Sequence, residues 1–144
     1  MQIREILTLK PAAIHGIAPT DAVSVALDKM VELGVGSLVV MQGGEMVGLL
    51  TERDVVHGLV KQGCDLKDAQ VSTIMVTEPV VANAEDSVDY ARDVMTKSHI
   101  GHLPIFDGNA LLGIISFHDV ARACLKEANF ENSLLKRYIK HWPE

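Results

Sequence analysis

The stretch Gly48-Leu49-Leu50-Thr51-Glu52-Arg53-Asp54 decides the fold of this chain, because a close copy, Gly113-Ile114-Ile115-Ser116-Phe117-His118-Asp119, follows 65 residues later. Around this motif, residues 18–57 pair with residues 83–122 without a gap, and eleven of the forty pairs are identical. A repeat of this size is one supersecondary unit that buries its apolar face against its copy. Two such units form clefts between them, and clefts of this kind bind ligands.

Hydrophobic spacing in the first copy predicts a short strand, a helix, two strands and a second helix. The leading strand is expected near residues 14–17. The first helix is expected to be capped by Thr20 and to stop at Gly34. The two strands are expected over residues 37–41 and 45–50, and the second helix follows Thr51.

The second copy predicts the same order of elements. A leading strand is expected near residues 80–82, and the next helix buries Val88, Ala91 and Met95. Strands over residues 102–106 and 110–115 are joined by Asp107-Gly108, a strong hairpin signal. The helix after Ser116 is expected to continue to His141. Apolar side chains recur along its last part, which is typical of core or dimer contact: Phe130, Leu134, Tyr138 and Trp142.

These elements divide the chain into a first unit over residues 1–62, a linker over 63–70, a second unit over 71–127 and a helical extension over 128–144. The expected fold is α/β (α+β): two β-α-β-β-α units related by a pseudo-twofold axis and packed sheet to sheet, plus the long C-terminal helix.

Composition excludes several classes of function. The net charge is −6 and there is no basic stripe, which disfavours binding to the nucleic acid backbone. No apolar run approaches the ~20 residues that a membrane-spanning helix needs, and no secretory signal is visible. The two cysteines, Cys64 and Cys124, have no zinc or redox spacing, so we expect a reduced, cytoplasmic setting.

The repeated motif places a hydroxyl residue and, three residues later, an aspartate at the start of a helix. One interpretation is a capping box, which such a pattern forms without any ligand. The other is a nucleotide site: free N–H groups and the helix dipole favour phosphate, and a carboxylate can accept hydrogen bonds from the two hydroxyls of a ribose. The glycine three residues before the hydroxyl allows a close approach.

The repeat resembles a tandem pair of cystathionine-β-synthase (CBS) domains, also called a Bateman module. The resemblance covers residues 3–125 and rests on the two motifs, on Asp-Ala-Val with the later Ala and Met in the first helix, and on the segment from His99 to Ile105. It implies a regulatory protein and not an enzyme, which acts in signal transduction by binding an adenosyl ligand. It implies AMP, ADP or ATP, with an NAD-type dinucleotide or S-adenosylmethionine as further possibilities, and no required cofactor.

The resemblance also implies which residues would meet a nucleotide. One cleft would combine Thr51, Arg53, Asp54, Met75, Thr77, Val80, Gly101 and His102. The other would combine Ser116, His118, Asp119, Leu7, His15, Gly36 and Ser37. The expected assembly is a homodimer, and the signal would pass to an effector protein whose identity the sequence does not give.

Two other interpretations stay open at this point. A small metal-dependent or hydrolytic enzyme would use His99, His102, His118 and Asp119, although these residues lie on different elements and complete no known metal spacing. A purely structural dimerisation module would leave both clefts empty.

Overall fold

Each of the two motifs lies in its own unit of the fold. The computed structural model describes residues 1–10 and 14–140, with side chains up to Arg137. The unit that contains Asp54, called here the Asp54 unit, comprises residues 13–81. The unit that contains Asp119, the Asp119 unit, comprises residues 1–12 and 82–144.

The Asp54 unit is a three-stranded sheet with helices. Its elements in chain order are β1 (Gly16–Ile17), α2 (Val23–Leu33), β2 (Ser37–Gln42), β3 (Glu45–Thr51), α3 (Glu52–Gln62) and two 3-10 helices, Gly63–Asp68 and Val71–Thr73. Strand β2 lies between β1, to which it is parallel, and β3, to which it is antiparallel.

The Asp119 unit repeats this arrangement and takes its first element from the start of the chain. Its elements are α1 (Ile3–Leu9), β4 (Ala82–Asn83), α4 (Val88–Ser98), β5 (His102–Asp107), β6 (Ala110–Ser116) and α5 (Phe117–Lys140). The two hairpins share one register: Ser37 faces Thr51 as His102 faces Ser116, and both hairpins shift register at the same relative place. The predicted mixed α/β fold with a long C-terminal helix is confirmed.

The cores of the two units are built from paired positions of the repeat. Within the repeat, seven pairs contribute both members to the hydrophobic cores: Val23/Val88, Ala26/Ala91, Met30/Met95, Leu38/Leu103, Val40/Ile105, Leu50/Ile115 and Val55/Val120. Burial of aliphatic side chains at these positions is the main stabilising contribution.

The predicted cap at Thr20 is wrong. Helix α2 begins at Val23 with Ala22 as its N-cap residue, which makes no side-chain capping bond. The amide of Val23 instead donates to the carbonyl of Ala69 at 2.8 Å, and the carboxylate of Asp21 accepts from the amide of Ala18. A neighbouring backbone segment therefore satisfies a helix-start amide that a hydroxyl was expected to satisfy.

Two further expectations shift by one or two residues. Strand β4 begins at Ala82 and not near Val80. Its partner strand, β5, has Pro104 at the position of Val39 in β2, and proline has no backbone amide to donate to the leading strand. The turn of the second hairpin is centred on Gly108 and Asn109, since Asp107 pairs with Ala110 as the last residue of β5. Gly108 has a φ of +60°, as the first central residue of a type II′ turn requires.

The helices that follow the two motifs differ in length for a local reason. Helix α3 ends at Gly63, whose φ of 62° and ψ of −143° are accessible essentially to glycine alone. The corresponding residue of α5 is Ala128, and α5 continues to Lys140. Along this extension Phe130 and Leu134 are 64% and 48% exposed. The predicted stripe continues through Tyr138 and Trp142, whose side chains lie outside the described residues.

The segment expected to be a linker is packed against the Asp54 unit. Residues Gly63–Asp68 form a 3-10 helix, and Leu66 is buried in the core of that unit. The side chain of Leu66 packs against Gly58, where an added Cβ would lie 3.0 Å from it. The residue of the Asp119 unit that pairs with Gly58 is Ala123, which is also buried.

Candidate functional site

The first motif forms a strand-to-helix corner around Thr51 and Asp54. The amide and the hydroxyl of Thr51 both donate to Oδ2 of Asp54 at 2.9 Å, and the amide of Asp54 donates back to Oγ1 of Thr51 at 3.3 Å. This is a capping box. These bonds fix the orientation of the carboxylate through Oδ2 and do not use its other oxygen, Oδ1.

The second motif forms the same corner around Ser116 and Asp119. The amide of Ser116 donates to Oδ2 of Asp119 at 2.8 Å, and the amide of Asp119 donates to Oγ of Ser116 at 3.1 Å. The capping interpretation of the sequence motif is therefore correct for both copies. A ligand role for the same carboxylates would use the lone pairs that the capping bonds leave.

A glycine carbonyl, from the residue just before β2 or β5, closes each corner. The carbonyl of Gly36 accepts the amide of Glu52 at 3.1 Å, and the carbonyl of Gly101 accepts the amide of Phe117 at 2.8 Å. Both glycines belong to the predicted site residues, and each lies at the helix start of its own unit. The first helical amides of α3 and α5 are thus partly satisfied by protein.

The two motif glycines have different neighbours. An added Cβ at Gly48 would lie 2.8 Å from Sδ of Met75 and 2.9 Å from the carbonyl oxygen of Val76. Val76 is fixed there, because its amide and carbonyl exchange two 2.9 Å hydrogen bonds with Leu49. At Gly113 the neighbour that an added Cβ would meet among the described residues is Cδ2 of Leu7, at 3.3 Å. The close approach that the sequence pattern suggested is made by protein backbone in the Asp54 unit.

In the Asp119 unit a lysine takes the place of that backbone bridge. Nζ of Lys10 donates to the carbonyl of Ile114 at 2.8 Å and to Oδ2 of Asp119 at 2.8 Å. In the Asp54 unit the paired carbonyl, that of Leu49, accepts the amide of Val76. The lysine and aspartate side chains are 34% and 17% exposed, so this ion pair is partly shielded from water.

The lysine changes the acidity of Asp119. Burial alone would raise the pKa of this carboxyl group. The hydrogen bond and the charge of Lys10, together with the hydrogen bonds from Ser116, outweigh burial and hold the pKa of Asp119 below its usual value of 3.8. Asp119 is therefore a carboxylate at neutral pH.

At a spacing of 68 residues the sequence places Glu78 where the Asp119 unit has Lys10. The amide of Val23 donates to the carbonyl of Ala69 as that of Val88 donates to Met1, which sets this spacing for the first residues of the two segments. Leu7 and Met75, which approach the two motif glycines, obey the same spacing. The sequence analysis missed Lys10 because it used the 65-residue spacing of the repeat. The recurring Ile-x-x-Ile and Val-x-x-Ile patterns at residues 3–6 and 71–74 could have revealed it.

The structure distributes the predicted site residues between the two units. The Asp54 unit contains Thr51, Arg53, Asp54, Met75, Thr77 and Val80, together with His15, Gly36 and Ser37. The Asp119 unit contains Ser116, His118, Asp119 and Leu7, together with Gly101 and His102. The grouping of residues from both units around one ligand stays a prediction.

The histidines do not assemble a metal site in the part of the chain that the structure describes. Within residues 1–10 and 14–140, no group of three or more His, Cys, Asp or Glu side chains could hold a metal ion. Nε2 of His118 lies 2.7 Å from Nη2 of Arg122. His99 occupies the left-handed C-cap position of α4, which Gly34 occupies in α2. Oδ2 of Asp119 is engaged by Lys10 and Ser116.

Comparisons with known proteins define the class. The family model for the CBS domain matches residues 3–61 and 71–126. The chain is 34% identical over 125 residues to the mitochondrial CBS domain-containing protein CBSX3 of Arabidopsis thaliana, covering 83% of this chain and 61% of that protein. The chain therefore belongs to the CBS-domain family, as two tandem domains, and it spans less than two thirds of the length of this plant relative.

Solved structures support the same assignment. A putative signal-transduction protein with CBS domains from Burkholderia ambifaria has a TM-score of 0.83 and 31% identity, over 88% of this chain and 95% of that chain. The CBS domain pair of protein MJ0100 has a TM-score of 0.76 and 20% identity, over 88% of this chain and 98% of that chain, and shares the fold.

Among the described residues, none of the helices has both the length and the apolar character needed to cross a membrane. This holds for α5, although it is 24 residues long, because charged residues interrupt it throughout.

Proposed function

We propose that this protein is a regulatory sensor that binds an adenosyl ligand, with AMP, ADP or ATP preferred, and passes the signal to a partner protein by a change of conformation. The observation that carries the proposal is the repeated corner at which a carboxylate is oriented by its capping bonds at a helix start. The MJ0100 domain pair, which shares the fold, was solved in complex with 5′-methylthioadenosine and S-adenosyl-L-methionine.

The geometry of each corner suits a nucleotide. Oδ1 of Asp54, which the capping bonds do not use, is available to accept a ribose hydroxyl, and such a charge-assisted bond is worth about 1.5–3 kcal/mol. Arg53 lies in the first turn of α3, where a guanidinium can meet phosphate oxygens with its planar fork. In the Asp119 unit the residue that pairs with Arg53 is His118, and the ammonium group of Lys10 lies beside Asp119.

Calorimetric titration with AMP, ATP, NADH and S-adenosylmethionine tests the proposal. We expect Asp54→Ala to weaken adenylate binding by roughly 10- to 100-fold, in a background where Asp119→Ala blocks the other corner. Asp54→Asn keeps the helix cap, because its amide oxygen can still accept the capping bonds, and it removes the ligand acceptor, because its amide nitrogen replaces Oδ1. Lower thermal stability with unchanged affinity would show that the aspartate only caps α3 and would contradict the proposal.

We further propose that the protein is a homodimer to which α5 contributes. Beyond residue 124 this helix exposes Phe130 and Leu134, which lie four residues apart on one face, and it also exposes Leu125 and Leu135 on other sides. An exposed apolar face of this kind marks an interaction surface in a protein that stays in solution. A second copy offers the same face and so can cover it symmetrically.

Truncation after Glu127 tests the dimer. The shortened chain keeps the 3.9 Å ion pair between its N-terminal amine and Glu127 but loses most of the apolar face. We expect sedimentation analysis to show a shift toward monomer. A truncated chain that sediments as the same dimer with the same stability would remove α5 from the interface.

A further inference from the structure

We propose that Lys10 makes the Asp119 corner selective for phosphorylated ligands over uncharged ones. This inference rests on the proposed function and adds a determinant of specificity to one of its two sites. Lys10 lies in the leading segment of the chain, outside the repeated motif, and it brings a positive charge to the carboxylate of Asp119.

The position of the ammonium group supports this role. Nζ of Lys10 is 2.8 Å from Oδ2 of Asp119 and 2.8 Å from the carbonyl oxygen of Ile114. An ammonium has three N–H donors, so these two bonds leave one donor that can meet a ligand oxygen. The two existing bonds hold the cation in place before a ligand arrives, which reduces the entropy lost when an anion binds.

The charges at the corner make the selectivity specific to anions. Asp119 alone would repel a phosphate, and Lys10 compensates that charge. An uncharged nucleoside gains at most a hydrogen bond from the ammonium, whereas a phosphate gains a hydrogen bond and the attraction between opposite charges.

The Asp54 unit shows that the lysine is not a general feature of the repeat. Its counterpart there is Glu78, which has the opposite charge, and the carbonyl of Leu49 is satisfied by the amide of Val76. The cation of that corner is Arg53, from the helix itself. The two corners therefore take their positive charge from different segments of the chain, and both 2.8 Å hydrogen bonds of Lys10 go to residues of the Asp119 unit, Ile114 and Asp119.

The experiment compares AMP with adenosine in calorimetric titrations, with Asp54→Asn as the background so that the Asp119 corner is observed. We expect Lys10→Met to reduce the ratio of the adenosine Kd to the AMP Kd by roughly tenfold. Lys10→Arg should retain most of this ratio, and added salt should lower it in the protein that has Lys10. Lys29→Met is the matched control. It removes a lysine whose ammonium also donates to a carbonyl, that of Gly16, but which belongs to the Asp54 unit.

The outcomes separate this inference from the proposed function. If Lys10→Met weakens AMP and adenosine equally, Lys10 is only structural and the inference is wrong. The inference also fails if Lys10→Met leaves the ratio of the adenosine Kd to the AMP Kd unchanged. It fails as well if the Asp54→Asn variant binds no AMP while the wild-type chain does. In each of these cases the proposed function still stands. If the wild-type chain binds neither AMP nor adenosine, both proposals fail.

Discussion

The Asp54 and Asp119 units share a hairpin register, a buried core and a capping box, but they differ in the segment that covers the motif glycine. In the Asp54 unit a backbone bridge through Val76 lies against Gly48. In the Asp119 unit the corresponding carbonyl accepts a bond from Lys10, and within the described part of the chain the group that lies against Gly113 is the side chain of Leu7. The comparison shows that two copies of one fold can keep the same helix-start corner while the segment that covers the corner and the charge beside it differ.

Alanine at the two motif glycines should give the largest difference between the units. Gly48→Ala should lower the free energy of unfolding by about 2–3 kcal/mol, because the new methyl group meets a backbone oxygen at 2.9 Å that two hydrogen bonds hold in place. Gly113→Ala should cost less than about 1 kcal/mol, because the end of the Leu7 side chain can move. Urea denaturation followed by circular dichroism measures both. Equal losses would contradict the difference in cover.

The ends of the two motif helices provide a second comparison. Gly63→Ala should destabilise the protein by about 1–3 kcal/mol, because alanine is strained at a φ of 62° and a ψ of −143°. Ala128→Gly, at the paired position inside α5, should cost about 1 kcal/mol or less through lost helix propensity. Urea denaturation measures both variants. A larger loss of unfolding free energy for Ala128→Gly than for Gly63→Ala would show that Gly63 is not the cause of the end of α3.

Removal of Lys10 should have a smaller effect that depends on pH. The folded pKa of Asp119 lies below 3.8, so its stabilising contribution is complete above the unfolded pKa and is lost as the pH falls through the folded pKa. Lys10→Met should therefore cost about 1 kcal/mol at neutral pH, allowing for the partial exposure of Lys10.

The pH profile of that variant distinguishes an ion pair from simple packing. The stability difference between wild type and Lys10→Met should shrink below about pH 4, because a protonated Asp119 no longer attracts the ammonium. Lys29→Met should show no such change, since the hydrogen bond of Lys29 goes to a carbonyl group. A difference for Lys10→Met that stays constant from neutral to acid pH would contradict the ion-pair account.

The parts of the fold that local sequence determines were predicted correctly. The hydroxyl-x-x-Asp pattern placed the helix starts after Thr51 and Ser116, because such a side chain satisfies a helix-start amide within four residues. Gly34 was identified as a helix end because glycine adopts the left-handed cap conformation without strain. The strands followed from their apolar runs and turn residues.

The features that depend on distant segments could not be read in this way. Thr20 failed as a cap because the Ala69 carbonyl, far along the chain, already accepts the amide of Val23. Leu66 lies in a polar segment that looked like a linker, and its burial depends on space left by Gly58. Lys10 was missed because the leading segments follow a different spacing from the repeat. The candidate aspartates were therefore predictable, and the residue that distinguishes their surroundings was not.

Titration of AMP into the wild-type chain and the Asp54→Ala/Asp119→Ala double variant, followed by calorimetry, tests the central claim most directly. The wild-type chain should bind AMP, and the double variant should show no measurable heat while remaining folded by circular dichroism. A folded double variant that binds AMP with wild-type affinity, or a wild-type chain that binds no adenosyl ligand, would contradict the assignment of these two corners as the ligand sites.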